Sequence, residues 1–214
     1  VGLGKLGLPI ALAIVMKGHN VMGYDVNPDM MQKEKCAFRE RGPNGEPSIE
    51  PFLQKSNLQF GSLEEFSYNN IRRLIDLNLT SQVFVIRAFL PLFKRNGGGD
   101  VVIIGSETAL SGGARGAVYS ASKFALRGLA QSLRQECASS SVRVTIVNPG
   151  MVRTGFFDKL DFEPGFNPEN FIEPDDVAVA VEAVLAARQG TVFDEINLSP
   201  LKKVMKKKKP PVSQ

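Results

Sequence analysis

The sequence has no tryptophan, one histidine and two cysteines among 214 residues. Each shortage removes a class of chemistry. Cys36 and Cys137 are too few for a disulfide framework, and without clustered histidines they cannot complete a zinc set. His19, in "KGHNV", has no serine or cysteine motif beside it and reads as a loop or capping residue. Apolar runs stay well below the roughly 20 residues that cross a bilayer, and no charged-then-apolar leader precedes a small-residue cleavage site. No internal repeat is present. These absences point to a cytoplasmic chain without metal, membrane or targeting segment.

The formal charge is +4. Its location matters more than its size. Six lysines (Lys202, Lys203, Lys206, Lys207, Lys208 and Lys209) and no acid fall in residues 201–214, leaving 20 basic and 22 acidic residues elsewhere. The basicity reads as a flexible, solvated end. No aromatics interleave the lysines as a base-stacking platform would need, so no nucleic-acid partner is expected.

Apolar runs suited to buried strands alternate with helical patterns, which argues for a single domain over 1–200 with a parallel sheet covered on both faces. Residues 8–17 read as a buried helix and "NVMGYDV" as a strand. The stretch 40–58, with Pro43, Pro47 and Pro51, reads as an irregular loop. A long helix is predicted from about 69 to 95, stopped by "NGGG". "DVVIIGS" follows as an interior strand. Residues 117–138 are then a helix, "VRVTIVNPG" a strand, 174–187 a helix, and 191–198 a last strand.

The opening "VGLGKLGLP" places Gly2, Gly4 and Gly7 in a G-x-G-x-x-G pattern leading into a helix. Such a loop brings backbone close to a pyrophosphate at a helix N-terminus. Asp25 lies 21 residues beyond Gly4, where a carboxylate can accept from an adenosine ribose 2′-hydroxyl and would repel a 2′-phosphate. NAD is therefore favoured over NADP.

"GSETALSGGARGAVYSASK" sets Ser106 at the end of an interior strand, Tyr119 thirteen residues on, and Lys123 four beyond that. Positions i and i+4 share a helix face, so the Lys123 ammonium can neighbour the Tyr119 phenol. A nearby cation favours phenolate and lowers the phenol pKa. A tyrosine so tuned can exchange a proton with an alcohol or carbonyl oxygen.

Four ordered motifs, "DLNLTS", "VVIIGS", "YSASK" and "VRVTIVNPGMVRT", make residues 62–200 resemble the short-chain dehydrogenase/reductase family. The resemblance implies a Rossmann-like, doubly wound, three-layer α/β/α fold and hydride transfer between a nicotinamide cofactor and a carbonyl or secondary alcohol. It implies that Tyr119 is the general acid or base, that Ser106 holds the substrate oxygen, that Lys123 also binds the nicotinamide ribose, and that Asn78 supports a water relay. Pro149 and Gly150 would shape the turn beside the nicotinamide, and Thr154 would help hold its carboxamide or the phosphates. A homo-oligomer, dimer or tetramer, is implied too, with Ile71, Leu74, Ile75, Ile86, Phe89 and Leu90 as core or subunit contact. The segment after "NPG", carrying Phe156, Phe157, Phe162 and Phe166, would be a substrate lid or a surface loop.

Residues 1–60 instead resemble the N-terminus of nucleotide-sugar dehydrogenases, in "VGLGKLGLP" and "GYDVNP". The short-chain family opens with G-x-x-x-G-x-G and carries an "NNAG"-like turn, and this chain has neither. From Asp25 to Asn78 is 53 residues, too short a span for two strands with their helices. "NLQFGSLEEFSYNN" fits both parents, so a seam is expected at about 57–70, joining two nucleotide-binding halves with a central strand missing. The alternative to an active reductase is a nucleotide-binding but inactive hybrid.

Overall fold

The computed structural model describes residues 60–208. Gly2, Gly4, Gly7, Asp25, His19, Cys36 and the first three residues of the expected seam lie outside the described residues. Elements are numbered within the described residues.

Helix α1 spans Tyr68–Arg95. It begins at Ser67, whose hydroxyl accepts from the Asn70 amide at 3.1 Å and satisfies one of the free N–H groups of the first turn. A π-helical stretch, Asp76–Thr80, interrupts it. Such bulges absorb one extra residue per turn and re-aim side chains. The helix ends at Asn96 and Gly97, the latter at φ +81°. In length and composition α1 could cross a membrane, but Leu79, Ile86 and Leu90 pack against the core.

Strand β1 is Gly99–Ile104, α2 is Ala117–Cys137 and β2 is Val142–Pro149. Strand β3 is Phe162–Pro164, α3 is Pro174–Ala186, β4 is Glu195–Leu198 and β5 is Met205–Lys207. Strands β1, β2 and β4 form a parallel sheet in that order. All eight residues of β2 are buried, as expected of a strand covered on both faces.

Alternation along the strands decides which layer each side chain joins. Ile103, Val144 and Ile146 pack with Leu126, Ala130 and Leu133 of α2 and with α1. Val102, Ile104 and Val147 turn the other way, onto Val177, Ala178 and Val181 of α3. Two helices therefore cover one face and one the other, giving the α/β/α layering of a Rossmann-like fold.

The seam and the C-terminal lysines are the two places where structure adds to the sequence reading. From Phe60 onward the chain is tied to the second half. The Gly61 amide donates to Arg115 O at 2.7 Å, and the Phe60 ring lies 4.8 Å from that of Tyr119. The basic segment, expected to be solvated from residue 201, is paired up to Lys208: β5 runs antiparallel to β3. Its lysines reach acids and carbonyls, as with Lys202 and Glu169 at 2.7 Å. Opposite charge on neighbouring segments supplies what the strand's own composition lacks.

Candidate active site

Parallel strands bring their carboxyl ends to one edge of the sheet, the edge where such folds bind ligands. Ser106 stands just beyond β1, Pro149 ends β2, and the Gly150 amide donates to Leu198 O of β4 at 2.8 Å. Gly105 is needed here. A Cβ at residue 105 would run into the Asn148 amide oxygen and lie 2.9 Å from Ile146 Cδ1. Bare backbone thus lets β1 deliver Ser106 beside β2.

Ser106 caps the single turn Glu107–Ala109, its hydroxyl accepting from the Thr108 amide at 3.2 Å. The same side chain neighbours the Tyr119 phenol and favours its ionised form. Tyr119, on the first turn of α2, is 8% exposed. Lys123 sits one turn on, with Nζ 5.7 Å from the Tyr119 ring centroid. Ser106, Tyr119 and Lys123 are thus brought together as their spacing predicts.

Their electrostatics differ from that expectation. Burial pushes the Tyr119 phenol above its ordinary range, the Ser106 side chain pulls it down, and the Glu107 carboxylate pushes it up. Lys123 has its own ammonium depressed to about 8 by burial. Helical spacing sets the distance between the two groups but not the dielectric around them, and here desolvation outweighs the lowering effect of Ser106.

This half-buried ammonium also affects folding. Below about pH 8 Lys123 is charged in both folded and unfolded chains, and the folded state bears the desolvation penalty. As pH rises from about 8 toward the unfolded value of 10.5 the folded side chain is already neutral, so the penalty is relieved. Lys123→Met is therefore expected to melt roughly 5 °C higher than the wild type at pH 7, with the difference vanishing near pH 10. Calorimetry across that range checks it, and a pH-independent difference would contradict it.

Asn78 occupies the π-helical stretch of α1. Its Nδ2 donates to Ser122 Oγ at 3.0 Å, and Ser122 Oγ donates to the Tyr119 carbonyl at 2.6 Å. The extra residue in the turn brings this polar side chain to α2, linking the two helices directly behind the phenol. Thr154 Oγ1 accepts from the Phe156 amide at 3.2 Å and starts the turn Gly155–Lys159.

That turn opens an aromatic layer. Phe60 packs against Tyr119 at a 43° tilt and meets Phe162 edge-on at 5.4 Å and Phe156 at 6.4 Å, while Phe157 closes the ring against both. Phe166, grouped with these in the sequence, is apart and 60% exposed, beneath the Lys206 ammonium. Sequence reasoning missed Phe60, Glu107, Ser122 and Lys203. Glu107 and Ser122 stand next to Ser106 and Lys123 in the chain, which was the available signal. No group of three or more metal-ligating side chains occurs among the described residues.

Comparison with known proteins identifies the family. The family profile of the short chain dehydrogenases matches residues 56–163, just over half of the chain. The match starts before Phe60 and so takes in "LQFGSLEEFS". Rat estradiol 17-beta-dehydrogenase 1 is 38% identical over 106 residues, covering 50% of this chain and 31% of that protein. A Mycobacterium tuberculosis 3-alpha-(or 20-beta)-hydroxysteroid dehydrogenase is 36% identical over 101 residues, covering 47% and 39% respectively. The chain thus spans about a third of the length of these relatives. An alcohol dehydrogenase from Thermococcus sibiricus, solved with 5-hydroxy-NADP, superposes with a TM-score of 0.72 at 23% identity and covers 94% of each chain. With the profile matched over the stretch that carries Asn78, Ser106, Tyr119 and Lys123, the chain belongs to the short chain dehydrogenase family.

Proposed function

We propose that the protein is a nicotinamide-dependent oxidoreductase that interconverts a carbonyl and a secondary alcohol. The observation that carries this reading is the convergence of the Ser106 hydroxyl, the buried Tyr119 phenol and the Lys123 ammonium one turn on, at the carboxyl edge of the parallel sheet. The named activities of the hydroxysteroid and alcohol dehydrogenase relatives support the same class.

The residues at that edge suit the nicotinamide end of a dinucleotide. A Cβ on Gly150 would come within 3.2 Å of both Glu107 and Pro200, so only bare backbone leaves room there. Asn148 Oδ1 and Thr108 Oγ1 are buried without a partner among the described residues. Pro149, Gly150, Thr154 and Lys123 would hold that end, and Gly2, Gly4, Gly7 and Asp25 the pyrophosphate and adenosine. When bound, the cofactor supplies or accepts the hydride.

The chain's own residues handle the proton and the geometry. Ser106 donates to the substrate oxygen and fixes it beside the phenol. Tyr119, kept protonated by burial, gives its proton to the forming alkoxide in reduction and takes it back in oxidation. Lys123, whose ammonium titrates near 8, can return a proton to the phenol at neutral pH. The aromatic layer of Phe60, Phe156 and Phe162 excludes water and favours an apolar carbonyl compound. Self-association uses the apolar groove of about 420 Å³ lined by Val83, Ile86 and Leu90 of α1 and by Leu129 and Leu133 of α2.

Titration with NADH and NADPH, followed by nicotinamide fluorescence, tests the reading. Saturable binding with preference for NADH is expected. Asp25→Ala should reduce that preference at least about tenfold, the worth of one lost charge-assisted hydrogen bond. No binding of either cofactor would defeat the proposal, and a preference for NADPH would reverse the assignment of Asp25.

A further inference from the structure

The phenol has a charged neighbour outside the Ser-Tyr-Lys set. Glu107 follows Ser106 directly and begins the turn that Ser106 caps. Its carboxylate opposes ionisation of Tyr119. Glu107 Oε2 accepts a hydrogen bond from Lys203 Nζ at 2.8 Å, across 96 residues of sequence. The groups facing Tyr119 are then Ser106 and Glu107 from the loop after β1, Lys123 from its own helix, and the uncharged Phe60 ring.

Lys203 is not placed by this ion pair alone. The Lys202 amide donates to Glu169 O at 2.8 Å and its Nζ meets Glu169 Oε1 at 2.7 Å. The Gly165 amide donates to Val204 O at 2.9 Å, and β5 pairs with β3 directly afterwards. Lys208 closes the segment, donating through Nζ to Phe157 O at 2.6 Å. Residues 202–208 therefore form a strap across the aromatic segment, and Lys203 is the side chain that points from it to Glu107.

We propose that Lys203 is a positioning residue of this site: by pairing with Glu107 it holds that carboxylate in place and offsets its charge at the Tyr119 phenol. The inference rests on the reading of Tyr119 as the proton-exchanging group. Without Lys203, Glu107 would face the phenol with its charge unopposed, and phenolate would form less readily. Because the Lys203 side chain is 63% exposed and that of Glu107 25%, water screens the pair and the effect is modest, about half a pH unit.

Tyr119 can be titrated directly. The chain has three tyrosines and no tryptophan, so subtracting the ultraviolet phenolate titration of Tyr119→Phe isolates its ionisation. Lys203→Met is expected to raise the midpoint by about half a unit, and Lys203→Arg to restore it. Glu107→Gln should lower it, and adding Lys203→Met to Glu107→Gln should change nothing further. Lys202→Met, which loosens the same strap without touching Glu107, is the control and should leave the midpoint unmoved.

An unshifted midpoint in Lys203→Met, or an equal shift in Lys202→Met, would overturn the proposal. The ascending limb of the pH profile for alcohol oxidation, where the base loses its proton, should move with the phenol. If turnover is absent or survives Tyr119→Phe, the proposed function fails, while the phenol titration still decides the role of Lys203.

Discussion

Tyr119→Phe is expected to lower kcat/KM for carbonyl reduction by about 10³-fold, within the range for loss of a positioned acid, while the Kd for cofactor changes less than about twofold. The substitution deletes one oxygen and leaves the ring that packs against Phe60 at 4.8 Å. Packing and melting temperature should barely move. Ser106 would keep its hydrogen bond to the Thr108 amide, so the substrate oxygen could still be held without receiving a proton. Steady-state kinetics beside a cofactor titration separate these effects. Turnover within about twofold of the wild type would remove Tyr119 from the mechanism and leave Ser106 and Lys123 without a common purpose.

The largest expected loss of stability lies away from the site, at Arg143. This guanidinium is 6% exposed and meets Asp100, its register partner on β1, through two bonds of 2.7 and 2.8 Å. Its Nη1 donates to Ala187 O at 2.7 Å and also approaches Arg188 O and Thr191 O. One side chain thus joins β1, β2 and the turn that follows α3. Arg143→Met would remove this donor from Asp100 and from the Ala187 and Thr191 carbonyls, while Arg188 O keeps the Thr191 amide at 2.9 Å, and removing one partner of such a pair costs about 3–5 kcal/mol. Asp100 retains some contact with water, with a side chain 21% exposed, so a value near the lower end, about 3 kcal/mol, is expected in urea denaturation. A change below about 1 kcal/mol would show that the pair only balances its own desolvation. Asp100→Leu combined with Arg143→Met should recover part of the loss, because no unpaired charge then remains.

Much of the layered fold could be read from period and punctuation. "DVVIIGS" is too apolar for anything but the interior and "VRVTIVNPG" reads as a strand, and they are β1 and β2, paired in register. The helix predicted from about 69 to 95 runs from Tyr68 to Arg95. Its π-helical stretch was invisible, because an inserted residue in a helix leaves the apolar pattern nearly unchanged while moving Asn78 onto Ser122. Spacing alone put Tyr119 and Lys123 on one helix face, while the roles of Ser106, Tyr119 and Lys123 came from the four ordered motifs taken together. The direction of the Tyr119 shift was not legible, since it depends on how many atoms surround the phenol. Strand β5 was hidden for a related reason. A lysine-rich triplet has no alternation of its own, and only β3, with the acids Glu163, Glu169 and Glu107 around it, makes pairing favourable.

The strap has a consequence for how the protein is made. Chains emerge from the ribosome N-terminus first, and domains begin to fold as they appear. The strap is thus the last part of the described chain to be synthesised, and β3 has no partner for its edge until Met205–Lys207 arrive. A chain cut before residue 202 would lose the partner of Glu107 and the partner of that edge together.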